Sequence, residues 1–168
     1  MMKLKMTFWN QLRMLISVIF ITFFISFLFL FYLDIEIDMK FCIYVVLPFF
    51  LVFIVPVFII HLNYYLISRR ISYEIRKNQI MVLTENKSIV YNKDEIKEIF
   101  FYMTANKMKN SGFANFLFEN YYYSKITLFS NEEIIITCLH SQQIDKILSD
   151  NFSESKILKI KKMYPIIG

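Results

Sequence analysis

Two uninterrupted apolar runs open the chain, and a period-two pattern follows them. Met14 to Leu33 is twenty residues without a charge, and Phe41 to Ile67 is uncharged and longer. Twenty helical residues span about 30 Å, the thickness of a bilayer's hydrocarbon core. A charge at the centre of such a helix costs roughly 2.5–3.5 kcal/mol, so two charge-free runs are informative. They predict a transmembrane helical hairpin over residues 1–70, with helices at about 10–33 and 41–68. A cleaved signal peptide fits less well. The first run is too long, and it ends in acidic residues with no small-residue cleavage site.

After Arg70 the period changes. Ile71, Tyr73 and Ile75 alternate with Ser72, Glu74 and Arg76, the mark of a half-buried strand. Further strands are predicted at Gln79–Thr84, Ser88–Tyr91, Ile96–Thr104, Lys125–Phe129 and Glu133–Leu139. Turns fall at Lys77-Asn78, Glu85-Asn86-Lys87 and Ser130-Asn131-Glu132. Ala105 to Gly112 is expected to be a loop, and Phe113 to Tyr123 leaves strand or loop open. Ser141 is placed to cap a helix whose apolar face is Ile144, Ile147 and Leu148. Tyr73 and Ile135 are expected to face the core of a separate domain, residues 71–168.

Flanking charge sets the orientation. Lys3, Lys5 and Arg13 precede the first run, and Arg69 and Arg70 follow the second. The connecting segment, Asp34 to Lys40, has one basic residue. Both termini are therefore expected in the cytoplasm and the acidic loop outside. Trp9, Tyr32, Tyr64 and Tyr65 fall near the predicted interfaces. Pro48 and Pro56 are expected to kink the second helix, with a hinge as the functional alternative. His61 is expected to meet water near the interface, with a proton relay as the alternative.

Composition adds limits. The chain is 57% hydrophobic, and the excess lies before Arg69. From Arg69 to Gly168 there are 15 basic and 11 acidic residues. That surplus is too small for a nucleic-acid footprint but suits an anionic membrane surface. Cys42 and Cys138 are too far apart in the pattern for a disulfide, and with two His they are too few for a metal site. No phosphate loop, HExxH or GxSxG is present. Asp94-Glu95 and Glu132-Glu133 mark turns and solvated faces, because strand neighbours point apart. His140 beside Ser141 is adjacency, not triad geometry. The aromatic group Phe113, Phe116, Phe118, Tyr121, Tyr122 and Tyr123 is expected to be core, with a binding surface as the alternative. No catalytic, cofactor or metal residue is assigned, and no enzyme is expected.

Two spans, strands carrying "ISYEIRKNQI" and "IVYNKDEIKEIF", then "SKITLFSNEEIIITCL" and a helix resemble bacterial membrane proteins with a pleckstrin-homology-like (PH-like) domain. That resemblance implies an α+β chain: a transmembrane hairpin, then an antiparallel PH-like split β-barrel with a C-terminal helix, at the bacterial inner membrane. It implies no agreed ligand. The expected role is a membrane-anchored binding or scaffolding module, with a small subunit of a transport or other membrane complex as the alternative. Expected partners are the bilayer, anionic lipid headgroups, and a protein or a second copy. Candidate membrane-surface contacts are Arg69, Arg70, Lys156, Lys159, Lys161 and Lys162. The four lysines enter because a helical tail would set Ile157, Ile160 and Tyr164 on one face and Lys156, Lys159 and Lys162 on another. The competing reading packs that apolar face on the barrel.

Overall fold

The structure is a computed structural model that describes residues 2–33, 44, 47–109 and 118–168. The β part is two four-stranded sheets. The first has the order β1 (Met2–Lys5), β2 (Ile71–Arg76), β3 (Gln79–Thr84), β4 (Ser88–Asn92), all antiparallel. The second has the order β7 (Glu133–Thr137), β6 (Tyr123–Leu128), β5 (Ile96–Met103), β8 (Lys156–Lys161). Helices α1 (Phe8–Leu33), α2 (Leu47–Phe49) and α3 (Val55–Ser68) lie between β1 and β2, with a π-helical turn at Phe50–Ile54. Two short helices, α4 (Ala105–Lys109) and α5 (Ile144–Asn151), complete the chain.

The alternation read from the sequence is what builds the sheets. Tyr73, Ile75 and Ile80 from the first sheet meet Ile99, Phe101, Met103, Ile126 and Ile136 from the second, and Ile144, Ile147 and Leu148 of α5 close the cluster. The two tight turns place Asn78 and Asn131 at φ 63 and 66. Asparagine tolerates that left-handed conformation better than other side-chain-bearing residues. Ile135 departs from expectation: it is only partly buried, while its neighbours Ile134 and Ile136 fill the core. In register it lies opposite Lys125, and it packs against the core without being enclosed by it. The helix expected from Ser141 starts at Ile144 instead. Ser141 Oγ accepts a bond from Gln143 N at 3.2 Å, which makes a turn rather than a cap.

Strand β1 changes the domain plan. It precedes the apolar runs, yet Leu4 pairs with Tyr73 and Lys5 with Ser72. The β sheet therefore extends beyond residues 71–168, and the helical segment is an insertion between neighbouring strands.

The second apolar run is also divided. Pro56 has no N–H to give, and its ring crowds the carbonyl four residues back, so the ladder widens into the π-helical turn just before it. From Val57 onward one face of α3 packs on the β domain. Val57, Ile60 and Tyr64 are fully buried, while Phe58, Ile59, Leu62 and Leu66 are more than half exposed. The expectation of a membrane-spanning helix at about 41–68, with Tyr64 near an interface, is corrected accordingly for its last turns, where Tyr64 is buried against the β domain. Tyr64 Oη donates to Pro165 O at 2.7 Å, and Asn63 exchanges bonds with the main chain of Ile167 at 3.0 and 3.1 Å. His61 meets Tyr121 Oη at 3.0 Å, not bulk water.

Among the described residues no helix is long and apolar enough to cross a membrane. The side chains described in α1 from Ile16 onward are Ile and Phe. Ile19, Phe20, Phe23 and Phe31 are 62–76% exposed. The acidic loop, Cys42, Phe113 and Phe116 lie outside the described residues.

The C-terminal tail overturns another expectation. Lys156, Lys159 and Lys161 belong to β8, which runs parallel to β5, with Ile157 opposite Ile99 and Ile160 opposite Tyr102. No basic amphipathic helix forms. The Ile157–Ile160 spacing suited a helix, but six residues are too few to hold one, and pairing to the β5 edge satisfies the backbone instead.

Candidate functional site

The helical insertion leaves the sheet at Lys5 and re-enters it at Ile71. Because Lys5 and Ser72 are register partners, both connections meet at one corner. That corner holds an open cleft of about 280 Å³. Its lining includes Lys5, Arg69, Arg70, Ser68, Thr84 and Glu85. A shallower hollow continues over Asn86 and Lys87 of the β3–β4 turn. Arg70 Nε lies 4.0 Å from Glu85, and both side chains are about two-thirds exposed. Such a pair contributes little to stability, so Arg70 remains available to an outside anion. Arg69 is exposed as well. Next to the cleft, Glu74 lies between Lys3 at 3.8 Å and Arg76 at 3.6 Å.

Beneath this corner a chain of side-chain bonds ties the helices to both sheets. Ser68 Oγ and Thr137 Oγ1 are 2.7 Å apart, and Thr137 Oγ1 lies 3.3 Å from His140 Nδ1. His140 Nε2 reaches Ile71 O at 3.1 Å, and Asn10 Nδ2 donates to His140 O at 3.5 Å. A carbonyl only accepts, so Nε2 carries the proton and Nδ1 takes one from Thr137. Burial holds the His140 pKa below its usual value, which fits this neutral tautomer. Both ring nitrogens are committed, so His140 is a joint and no base for Ser141.

The structure divides the residues picked from sequence. Arg69 and Arg70 share the cleft. The lysines do not join them: Lys156 pairs with Glu98 at 3.2 Å, Lys159 and Lys161 lie along β8, and Lys162 stands over the Tyr102 ring at 5.8 Å. Lys5 and Lys87 were missed as site residues. One reads as flanking charge and the other as turn, and only the β1–β2 and β3–β4 pairings bring them to the same corner.

The remaining candidates resolve into structure. Tyr121, Tyr122 and Tyr123 are buried. Burial raises the Tyr122 pKa, and its hydroxyl shares its one proton between Gln142 O and Asp145 while accepting from Ile144 N. Glu95 caps Asn92 N at 2.7 Å, Glu132 accepts from Tyr91 Oη, and Glu133 pairs with Lys125. Cys138 is buried and free, its thiol pushed up to about 12 by burial. Among the described residues no cluster of His, Cys, Asp and Glu could hold a metal ion.

Strands β2–β4 in one sheet and β5–β7 in the other, followed by helix α5, match the expected plan, while β1 and β8 add to it, and a family model for the PH domain matches residues 3–143. The chain belongs to the PH domain family. The match begins inside β1 and runs through the helical insertion, so this PH domain starts before the apolar runs. Among solved structures, a chain in the "Structure of the Spt16D Pob3N heterodimer" is similar at 10% identity, with a TM-score of 0.38. The likeness covers 60% of this chain and 52% of that one, so the PH chain spans about half the length of its neighbour. None of the curated proteins matches.

Proposed function

We propose that this PH domain is a binding module anchored in a membrane by the helices inserted between β1 and β2. The observation that carries the reading is the basic corner: Lys5, Arg69 and Arg70 stand where both helical connections enter the sheet. An inserted anchor would hold that corner at the headgroups, whichever way the rest of the domain turned. The charge-free stretch from Met14 to Leu33 and the exposed phenylalanines of α1 support the anchor. Water would penalise such a surface at roughly 25 cal/mol per Å² of apolar area. With basic flanks on both helices and an acidic connection between them, the domain faces the cytoplasm. Binding is favoured over catalysis because both ring nitrogens of His140 are committed within the fold and Glu74 is held between Lys3 and Arg76.

The ligand chemistry of the corner is a phosphate-bearing lipid headgroup. Each basic residue near an anionic surface contributes about 1 kcal/mol, so the three together offer about 3 kcal/mol. The full chain, reconstituted in vesicles, should melt at a higher temperature when part of the neutral lipid is replaced by anionic lipid. Raising salt should remove the difference, since charges beyond about 10 Å are screened at 0.1 M. Replacing Lys5, Arg69 and Arg70 by Gln should abolish it. An equal melting temperature in neutral and anionic vesicles would refute headgroup binding at this corner.

A further inference from the structure

Among the described residues two four-stranded sheets leave four edges, and three of them are guarded. Strand β1 carries Lys3 and Lys5, and β8 carries Lys156, Lys159 and Lys161. Lysines on an edge discourage pairing with another chain. Two outward carbonyls of β7 are occupied: Ile135 O accepts from Tyr73 Oη at 2.7 Å, and Thr137 O accepts from His140 N at 3.0 Å.

Strand β4 has no such guard. Its sequence is Ser-Ile-Val-Tyr-Asn, without charge or proline. Bonds from Thr84 N to Lys87 O and from Lys93 N to Asn78 O fix the phase of the β3–β4 ladder. In that phase Ile89 and Tyr91 turn their main-chain groups to β3, and Ser88, Val90 and Asn92 turn theirs outward. Asn92 N is taken by Glu95. Among the described residues nothing pairs with the two N–H and two C=O groups that Ser88 and Val90 keep on this edge. Ile89 and Val90, on opposite faces of the strand, are 44% and 43% exposed.

We propose that the β4 edge is a strand-addition site for an extended segment of another protein, with apolar side chains on both faces where it passes Ile89 and Val90. A row of outward main-chain donors and acceptors is satisfied by an extended backbone, and the two exposed side chains set the apolar requirement. A second copy fits badly. The β3–β4 turn lies at the basic corner, so β4 starts beside the helices and runs away from them. Antiparallel self-pairing would turn one copy end over end and put its helices at the far end. Chains anchored in one membrane cannot do that. This exclusion rests on the anchoring reading, whereas the open edge does not.

The test uses the full chain in native membranes, with benzoylphenylalanine in place of Ile89 for photocrosslinking. Amide exchange of β4 is followed in parallel, in membranes and in purified protein. Val90→Pro removes only an outward N–H and leaves the ladder to β3 intact. Val90→Lys serves as a second blocked edge should proline disturb the strand. The expected result has two parts. Ser88 and Val90 amides exchange about tenfold slower in membranes than in purified protein, with Ile89 and Tyr91 unchanged. A single heterologous adduct forms, maps to one segment, and is lost in both variants. Equal exchange in the two states, an adduct that survives both variants, or an adduct of two copies of this chain would overturn the proposal. Release of the chain from membranes by alkaline extraction would instead overturn the anchoring reading, leaving the exchange result to decide the edge.

Discussion

A fragment of residues 71–168 is expected to show no cooperative thermal transition, although it holds seven of the eight strands among the described residues. It lacks Leu4, which is 3% exposed, and Val57, Ile60 and Tyr64, which are fully buried. Burying a large apolar side chain contributes roughly 1.5–3 kcal/mol. Four of them come to roughly 6–12 kcal/mol, which is comparable to the whole stability of a domain, about 5–15 kcal/mol. The fragment also bares the edge of β2 that β1 covers in the chain. Rejoining Met2–Lys5 to Ile71 through a short linker should restore part of the transition, because Lys5 and Ser72 are already partners. Full restoration should need α3. Melting followed by circular dichroism measures this, and a fragment 71–168 that melts as the full chain does would mean that β1 and α3 contribute nothing.

Tyr64→Ala should be among the most damaging single substitutions, at roughly 3–5 kcal/mol by analogy with other buried aromatic truncations. The ring is fully buried and stands edge-on to Tyr121 at 5.8 Å and to Tyr123 at 6.0 Å. Its hydroxyl holds the tail through Pro165 O. Tyr64→Phe separates these contributions: the packing stays, and a buried carbonyl loses its donor at a cost of roughly 1–3 kcal/mol. Ranked melting temperatures, with wild type above Tyr64→Phe and Tyr64→Ala lowest, are the expected outcome. Near-equal values for all three proteins would show that α3 does not bear on the sheet. Limited proteolysis should report the same order, with cleavage of the tail rising as the Pro165 contact is lost.

What the sequence discloses follows from where its periods are unambiguous. Strand β2 reads directly because apolar and polar residues alternate along it, and β3 reads as a short apolar run between asparagine-containing turns. Helix α5 reads from Ile144, Ile147 and Leu148. Strand β1 does not, since four residues with two lysines look like the basic flank of a membrane helix. In β8 the Ile157–Ile160 spacing fits a helix and sets the two side chains on opposite faces of a strand, and pairing with β5 selected the strand. The docking of α3 is hidden for a different reason. A helix apolar all round gives no period to say which face meets protein, so Tyr64 and Tyr65 look alike although only the first is buried. Half of the basic corner is legible, through Arg69 and Arg70. Lys5 and Lys87 come to it only through strand pairing, which one sequence does not display.

The central claim is that a PH domain is built around a membrane anchor inserted between its first two strands. Alkaline carbonate extraction of membranes from cells making the full chain tests it most directly. The chain should stay in the membrane pellet, and a variant in which residues 7–67 are replaced by a short polar linker should leave it. Recovery of the full chain in the alkaline supernatant, together with peripheral membrane proteins, would contradict the account.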